Sequence, residues 1–399
     1  MPCTLSNAAR PLAGLSAALW LTSTAFAQDG GRLFDLSLEE LGQLQVTSVS
    51  RRPEQLNQAA ASIYVITAEE IRRSGVTSIP EALRLAPGVE VARNGASEWT
   101  VSIRGFSSDL SNKLLVLLDG RSMYSPLFAG VFWDVQDTFI ADIERIEVIS
   151  GPGGTLWGAN AVNGVINIIT RSARDTQGGL LDVGAGNEAQ LAGFRYGWLI
   201  NERMAARAYV KTAEHDATEL ADGRDAFDDW DMSRAGFALN WLPGAADAIN
   251  MRANVYDGHE HALVRGDFTL GTLPQENLPG TVDLSGYNAA ATWRRTLAPD
   301  ASWSLRFYFD HTDRQIPGSF NEARDTFNFE YQLDLADRGR HDVILGAGFR
   351  STSDDIGNTT FATFMPASRT GQTERAFLQD RIAVLARCRC SRLGDRWAD

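Results

Sequence analysis

Gly151, Gly153, Gly154, Gly158 and Gly164 crowd one stretch of this chain, and glycines so dense can cradle a phosphate. That chemistry also needs a lysine followed by Ser or Thr at the start of a helix, and neither is present. The five histidines are His215, His259, His261, His311 and His341. None lies in a nucleophile elbow or an H-E-x-x-H pattern, so no catalytic residue is assigned and no enzyme is expected. His259 and His261 would share a face on a strand and could grip a metal between two imidazoles. No further ligand is near in sequence, so the reading adopted is a loop with two solvated histidines. Cys388 and Cys390 supply two thiols, too few for a zinc site. No resident metal and no cofactor are expected.

Two apolar runs flank the glycines. Ile143, Ile146, Val148 and Ile149 form an apolar run with Glu144, Arg145 and Glu147 interleaved, and Val165, Ile166, Ile168 and Ile169 form another around Asn167. Both are β-rich and short, so the stretch reads as strand, tight turn, strand. The glycines then serve positive φ or close backbone approach.

Upstream, Ser62–Thr67 reads as a strand and Ala68–Ser74 as a helix started by Thr67. Ser78–Leu85 reads as a second helix with Pro80 in its first turn and Pro87-Gly88 closing it. Val89–Ala92, Thr100–Arg104 and Lys113–Leu118 read as strands, the last stopped at an Asp119-Gly120 turn. Together these predict a small α+β globule over residues 51–177. Arg51–Ala61 reads as a polar, alanine-rich linker, and Leu33–Leu44 as a short amphipathic helix or arm.

Several segments resemble, in order, the plug domain of TonB-dependent outer-membrane receptors. They are Ile63–Thr67 with Glu69-Glu70-Ile71, Ile79–Leu83 with Pro87-Gly88-Val89, Ile103-Arg104-Gly105-Phe106, and Leu117-Leu118-Asp119-Gly120. Ile143–Thr170 resembles the end of that domain closely. The motif positions carried over are Arg104, Gly105, Asp119, Gly120, Gly151, Pro152, Gly158, Asn163 and Gly164. The resemblance implies a TonB box near the mature N-terminus. Leu44, Gln45, Val46, Thr47, Ser48 and Val49 are loosely similar to it, and an exposed strand there could add to a partner's sheet edge. It also implies that outward plug loops help bind ligand, with Trp99, Phe106, Tyr124 and Trp133 as candidates.

After Gly178 the pattern changes to alternation. Trp303, Leu305, Phe307 and Phe309 point one way, and Ser304, Arg306, Tyr308 and Asp310 the other. Phe327, Phe329, Tyr331, Leu333 and Leu335 repeat this opposite Asn328, Glu330, Gln332 and Asp334. An aromatic outer face and a polar inner face are the signature of a transmembrane barrel, predicted here over residues 178–386. About ten strands fit, whereas plugged receptors close with about 22, on the order of 440 residues at this spacing. The fold expected is therefore an α+β plug followed by an incomplete antiparallel transmembrane β-barrel. Arg387–Arg392 breaks the alternation, and residues 387–399 are read as an aberrant tail after a frameshift near Ala386.

The chain has 399 residues and a formal net charge of −13. No basic stripe offsets that charge, so no nucleic-acid partner is expected. Residues 1–27 read as a signal peptide with Ala25-Phe26-Ala27 as the cleavage site, which would make Gln28 the first mature residue of an arm over 28–50. The expectation is a monomeric outer-membrane receptor that takes up a scarce nutrient such as a ferric siderophore, cobalamin or another metal chelate. Its partners would be the TonB C-terminal domain, outer-membrane lipid and a small metal-chelate ligand. The rivals are a truncated, non-transporting remnant of such a receptor and a soluble periplasmic binding protein.

Overall fold

The computed structural model describes residues 45–48, 54–59, 61–105, 113–153, 157–158, 160–265, 277–335, 339–359 and 362–382. The signal peptide, the arm helix, Leu44, Val49, Phe106, Gly154 and the tail lie outside the described residues.

The first half of the fold is a small mixed sheet with two short helices. Strand β1 (Gln45–Val46) pairs antiparallel with β2 (Glu54–Gln55), within the stretch that reads as a linker. The polar composition hid β2, because its pairing rests on backbone groups alone. Strand β3 (Ser62–Thr67) leads into helix α1 (Ala68–Ser74). Thr67 and Glu70 form a reciprocal capping box at its start: the Glu70 N–H donates to the Thr67 hydroxyl, and the Glu70 carboxylate accepts from the Thr67 N–H at 2.8 Å. Helix α2 (Ile79–Leu83) has proline in its first turn, as expected, and stops sooner than predicted, with Arg84 as its C-terminal cap.

Strands β4 (Val89–Arg93) and β5 (Trp99–Ile103) form one hairpin. After them come β6 (Leu114–Leu118), β7 (Arg121–Ser122), β8 (Tyr124–Ser125) and β9 (Gly130–Val131). Strands β10 (Ile143–Ser150) and β11 (Gly164–Thr170) are the two runs that flank the glycines. The sheet order is β3-β10-β11-β6-β7, with β11 parallel to β6 and the other pairs antiparallel.

One face of this sheet packs Ile66, Ile146, Val148, Ile166 and Ile168 against Ile71, Ile79 and Leu83 of the helices. The other face packs Leu115, Leu117, Ile149 and Val165 around Ala161. Asp119 and Gly120 both take positive φ, 51° and 84°, as a tight two-residue turn between β6 and β7 requires. At Gly164 the need is space: a Cβ there would sit 2.6 Å from the Ile149 carbonyl oxygen.

The second half is one antiparallel sheet of ten strands in sequence order. They are β12 (Gly178–Ala185), β13 (Ala189–Asn201), β14 (Met204–His215), β15 (Trp230–Trp241) and β16 (Asp247–Arg265), followed by β17 (Asn277–Ala298), β18 (Ala301–Ile316), β19 (Phe320–Asp334), β20 (His341–Gly357) and β21 (Ser368–Ile382). Among the described residues β12 and β21 do not pair, so the sheet is open. Val210, Val255, Tyr287, Phe327 and Phe329 stand exposed on the outer face. Aromatic rings meet edge to face there, Phe307 with Phe327 at 5.1 Å and Trp293 with Trp303 at 4.8 Å. The inner face carries Arg207, Arg234, Asn288, Asp310, Arg324 and Asn328, all buried. The alternation expected from the sequence is the one observed. His259 and His261 fall on β16 rather than in a loop, exposed and paired with carboxylates of neighbouring chain segments, His261 with Asp229 at 2.7 Å.

Residues 51–172 expressed alone are expected to melt cooperatively, because their apolar strands and helices form their own core. Ile166→Ala should lower that stability by roughly 2–5 kcal/mol through the cavity left behind. Urea unfolding followed by circular dichroism checks both expectations.

Candidate functional site: the plug seam and the N-terminal hairpin

A buried carboxylate organises the N-terminal end of the plug. Glu147 lies on β10 with no exposed surface, on the sheet face opposite Ile146 and Val148. A buried carboxylate must find hydrogen-bond donors or it costs several kcal/mol. Arg145 supplies one, its Nε 2.8 Å from Oε1. The rest come from the segment after β1. The Thr47 backbone N–H donates to Oε2 at 3.0 Å, the Ser48 N–H at 2.8 Å, and the Ser48 hydroxyl also donates. Trp157 Nε1 donates to the Ser48 carbonyl at 2.7 Å, and Asn167 Nδ2 to the Ser48 hydroxyl at 3.0 Å. Val46 and Ser48 are completely buried. The hairpin also reaches the wall, where Glu54 on β2 pairs with Arg381 of β21 at 2.9 Å.

A second set of charges ties the plug to the inner face of the ten-stranded sheet. Asp142 faces both Arg195 (2.7 Å) and Arg207 (3.1 Å). Asp119 faces Arg252 at 3.1 Å while accepting from the Thr170 N–H and hydroxyl, each at 2.9 Å. Arg121 donates to Asp310 of the wall and to Gln136 of the plug, each at 2.9 Å. Asp134 pairs with Arg314 and Asp137 with Lys211. The plug supplies mostly acids and the wall mostly bases.

At the far end of the plug, Ser97 donates to Glu260 of β16 at 2.8 Å. The segment between β14 and β15 closes over the same place, with Asp228 accepting from the Ala96 N–H at 2.9 Å and from Thr218. Partial burial alone would raise the Asp228 carboxyl. The donors from Thr218 and Ala96 outweigh burial and hold it below the ordinary carboxylate range. A depressed carboxyl contributes stability above its unfolded pKa and loses it as pH falls through the folded one, so this contact persists at neutral pH.

The aromatic ligand candidates divide. The Arg84 and Arg93 guanidinium groups each lie over the Trp99 ring, at 5.4 and 5.6 Å from its centre. Trp133 is buried in the main core cluster, so its ring packs the plug rather than facing outward. Tyr124 sits half-buried in the short β8–β9 hairpin opposite Val131. Gly105, Gly120, Gly151 and Gly158 all have positive φ, as has Arg104 (66°). Pro152 is exposed after Gly151, and Asn163 is buried, its carbonyl accepting the Gly151 N–H at 2.9 Å. The wall bases and the Glu147 clamp were missed in the sequence. Their signals were present as basic residues at inward positions and as one acid inside an apolar strand.

Residues 55–165 match the family model described as the TonB-dependent Receptor Plug Domain. Residues 55–165 are thus a plug domain of the TonB-dependent receptor type. The relatives that the chain resembles are outer-membrane receptors and transporters rather than enzymes. The chain is 37% identical over 147 residues to the vitamin B12 transporter BtuB of Vibrio vulnificus, covering 36% of this chain and 23% of that one. It is 30% identical over 219 residues to the iron-regulated outer membrane virulence protein of Vibrio cholerae, covering 51% and 31%.

In fold it is similar to Pseudomonas aeruginosa FpvA bound to heterologous pyoverdines, with a TM-score of 0.64 and 14% identity over 86% of this chain and 52% of the other. The ferric enterobactin receptor PfeA of the same organism gives 0.64 and 16%, over 82% and 56%. The chain thus spans less than a third of the curated relatives and about half of the solved receptors.

Removing the clamp should free the hairpin. Glu147→Ala is expected to speed amide exchange at Thr47 and Ser48 by about tenfold or more, since each lost hydrogen bond is worth on the order of 1 kcal/mol. Glu147→Gln, which keeps the acceptor oxygen, should give a smaller change. Hydrogen exchange with mass spectrometry checks both. Asp228→Ala should likewise speed proteolytic cutting between residues 216 and 229, read on a gel.

Proposed function

We propose that the protein acts as an outer-membrane receptor for a scarce metal chelate, a ferric siderophore or a cobalamin-like compound, with uptake energised by TonB. The observation that carries the reading is the state of the Leu44–Val49 segment, the proposed TonB box. Its described part, Gln45–Ser48, is extended at Gln45–Val46 and then fastened to Glu147 by reversible polar contacts. A segment that is to pair with a partner's sheet edge needs an extended backbone and contacts that can be exchanged. A polar clamp of this kind can be exchanged for water or for a partner strand.

In the proposed cycle, ligand binds from the outer side, where the Asn94–Trp99 turn and Tyr124 belong to the plug segments proposed to face it. TonB then takes up the box as an added strand and pulls. Force passes from Thr47 and Ser48 to Glu147 on β10, a central strand of the plug sheet. The glycine motif, from Gly151 to Gly164, follows β10 directly and would transmit the movement. The cobalamin alternative follows a vitamin B12 transporter relative, and the iron alternative follows a relative whose expression is iron-regulated. The exposed outer aromatics argue against a soluble periplasmic protein.

The rival reading is a non-transporting remnant of such a receptor. Uptake separates the two. Val46→Pro removes a backbone donor and fits poorly in an added strand. It is expected to weaken capture by the TonB C-terminal domain and to abolish uptake of labelled ferric siderophore or cobalamin, with outer-membrane levels unchanged. Unchanged capture and uptake would place the box elsewhere. No uptake by the parent protein, with TonB capture intact, would favour the remnant.

A further inference from the structure

The inner face of β18–β21 carries a positive cluster that the plug contacts do not use. The strand register sets Arg306 opposite Glu330, Glu330 opposite Gly348, and Gly348 opposite Arg375. The next inward row sets Tyr308 opposite Asn328 and Asn328 opposite Arg350. Residues at alternate positions share a face, so three guanidinium groups, one carboxylate and one phenol gather on one patch of wall.

Their contacts leave the charge unbalanced. Arg375 Nη2 lies 2.5 Å from Glu330 Oε2, and Arg306 Nη1 reaches the same oxygen only at 4.0 Å. Arg350 donates to an amide oxygen, Asn328 Oδ1, at 3.4 Å, and its guanidinium carbon stands 5.9 Å from the Tyr308 ring centre. Among the described residues, three arginines therefore share one carboxylate within the patch. Tyr308 is 1% exposed, and its buried hydroxyl has no hydrogen-bond partner among the described residues; the same holds for Arg306 Nε. That hydroxyl lies within electrostatic reach of both Arg306 and Arg375.

Among the described residues the patch is partly open and has a floor. The Arg306 and Arg375 side chains keep 32% and 26% of their exposure. The Arg306 guanidinium lies over Gly120 of the plug, where an added Cβ would stand 2.9 Å from it. Neighbouring Asp119 is already engaged by Arg252 and Thr170. Like charges packed this closely repel strongly away from bulk water, and a mobile counter-anion relieves that repulsion.

We propose that this patch binds a small polyanion, a molecule with two or more oxyanion charges such as a polycarboxylate, between the barrel wall and the Asp119-Gly120 turn. Guanidinium forks pair carboxylate or phosphate oxygens two at a time, and the Tyr308 hydroxyl supplies a further donor. A monoanion leaves part of the excess charge in place, whereas a dianion cancels it. This site is separate from the N-terminal hairpin and does not depend on the proposed TonB reading.

The test is calorimetric titration of the detergent-solubilised full chain at low salt with citrate, inorganic phosphate and acetate. Citrate or phosphate is expected to bind saturably at one site, about tenfold or more tighter than acetate, and to weaken as salt rises. The order of citrate and phosphate tells whether carboxylate or phosphate is the preferred source of charge. The double variant Arg350→Gln/Arg375→Gln should weaken binding about tenfold or more, and Tyr308→Phe by about threefold, while Arg224→Gln in a loop leaves it unchanged. No saturable binding, or binding indifferent to the arginine pair, overturns the proposal. If the double variant fails to fold, the parent chain decides alone: acetate binding as tightly as citrate overturns it.

Discussion

Everything in this molecule depends on how charge is buried between plug and wall. An inner wall that faces a protein domain rather than water has to satisfy each ionic group with a partner. The wall presents Arg195, Arg207, Lys211, Arg252 and Arg314, and the plug answers with Asp142, Asp137, Asp119 and Asp134. These pairs set where the plug sits and in which orientation. They add little net stability, because desolvation offsets most of the attraction. Their value is specificity: a plug turned or shifted by one strand would leave several charges unpaired, at a cost of several kcal/mol for each.

The plug itself is held by a different force. Ile66, Ile146, Ile166 and Ile168 pack with Ile79 and Leu83 into a dry core. Full burial of one such side chain contributes about 1.5–3 kcal/mol, and the terms add over the cluster. The contrast matters for motion. An apolar core resists opening, while a polar seam can exchange its contacts for water when pulled. In the proposed cycle the domain would then move or deform as a unit before its own core yields.

Much of this was legible from the residues, and the limits have physical causes. The helix start at Thr67, the Asp119-Gly120 turn and the period-two faces of β18 and β19 are local signals, so sequence reading found them. The strand count of the sheet was legible because each strand carries its own alternation. Pairing at β2 was not, since two residues held by backbone bonds leave no pattern. The His259–His261 pair was placed in a loop because its strand extends beyond the clear alternation. Trp133 looked like a ligand contact, since an aromatic in a loop gives no sign of which way it turns; tertiary packing turned it inward. The pairing of plug acids with wall bases is long-range, separated by 53 residues for Asp142–Arg195 and by 180 for Asp134–Arg314, so no local pattern announces it.

Glu147 joins the two regimes. It lies on a strand whose opposite face is the dry core, yet its carboxylate is satisfied mainly by the segment that carries Thr47 and Ser48. Taking that segment away does more than break hydrogen bonds. It leaves a buried carboxylate with Arg145 as its only remaining ionic partner among the described residues, a state that favours entry of water or local rearrangement of β10. β10 pairs with both β3 and β11, so a disturbance there reaches both sides of the sheet. In the proposed cycle, release of the N-terminal segment would thus loosen the plug at β10, directly before the glycine turn that follows Ser150.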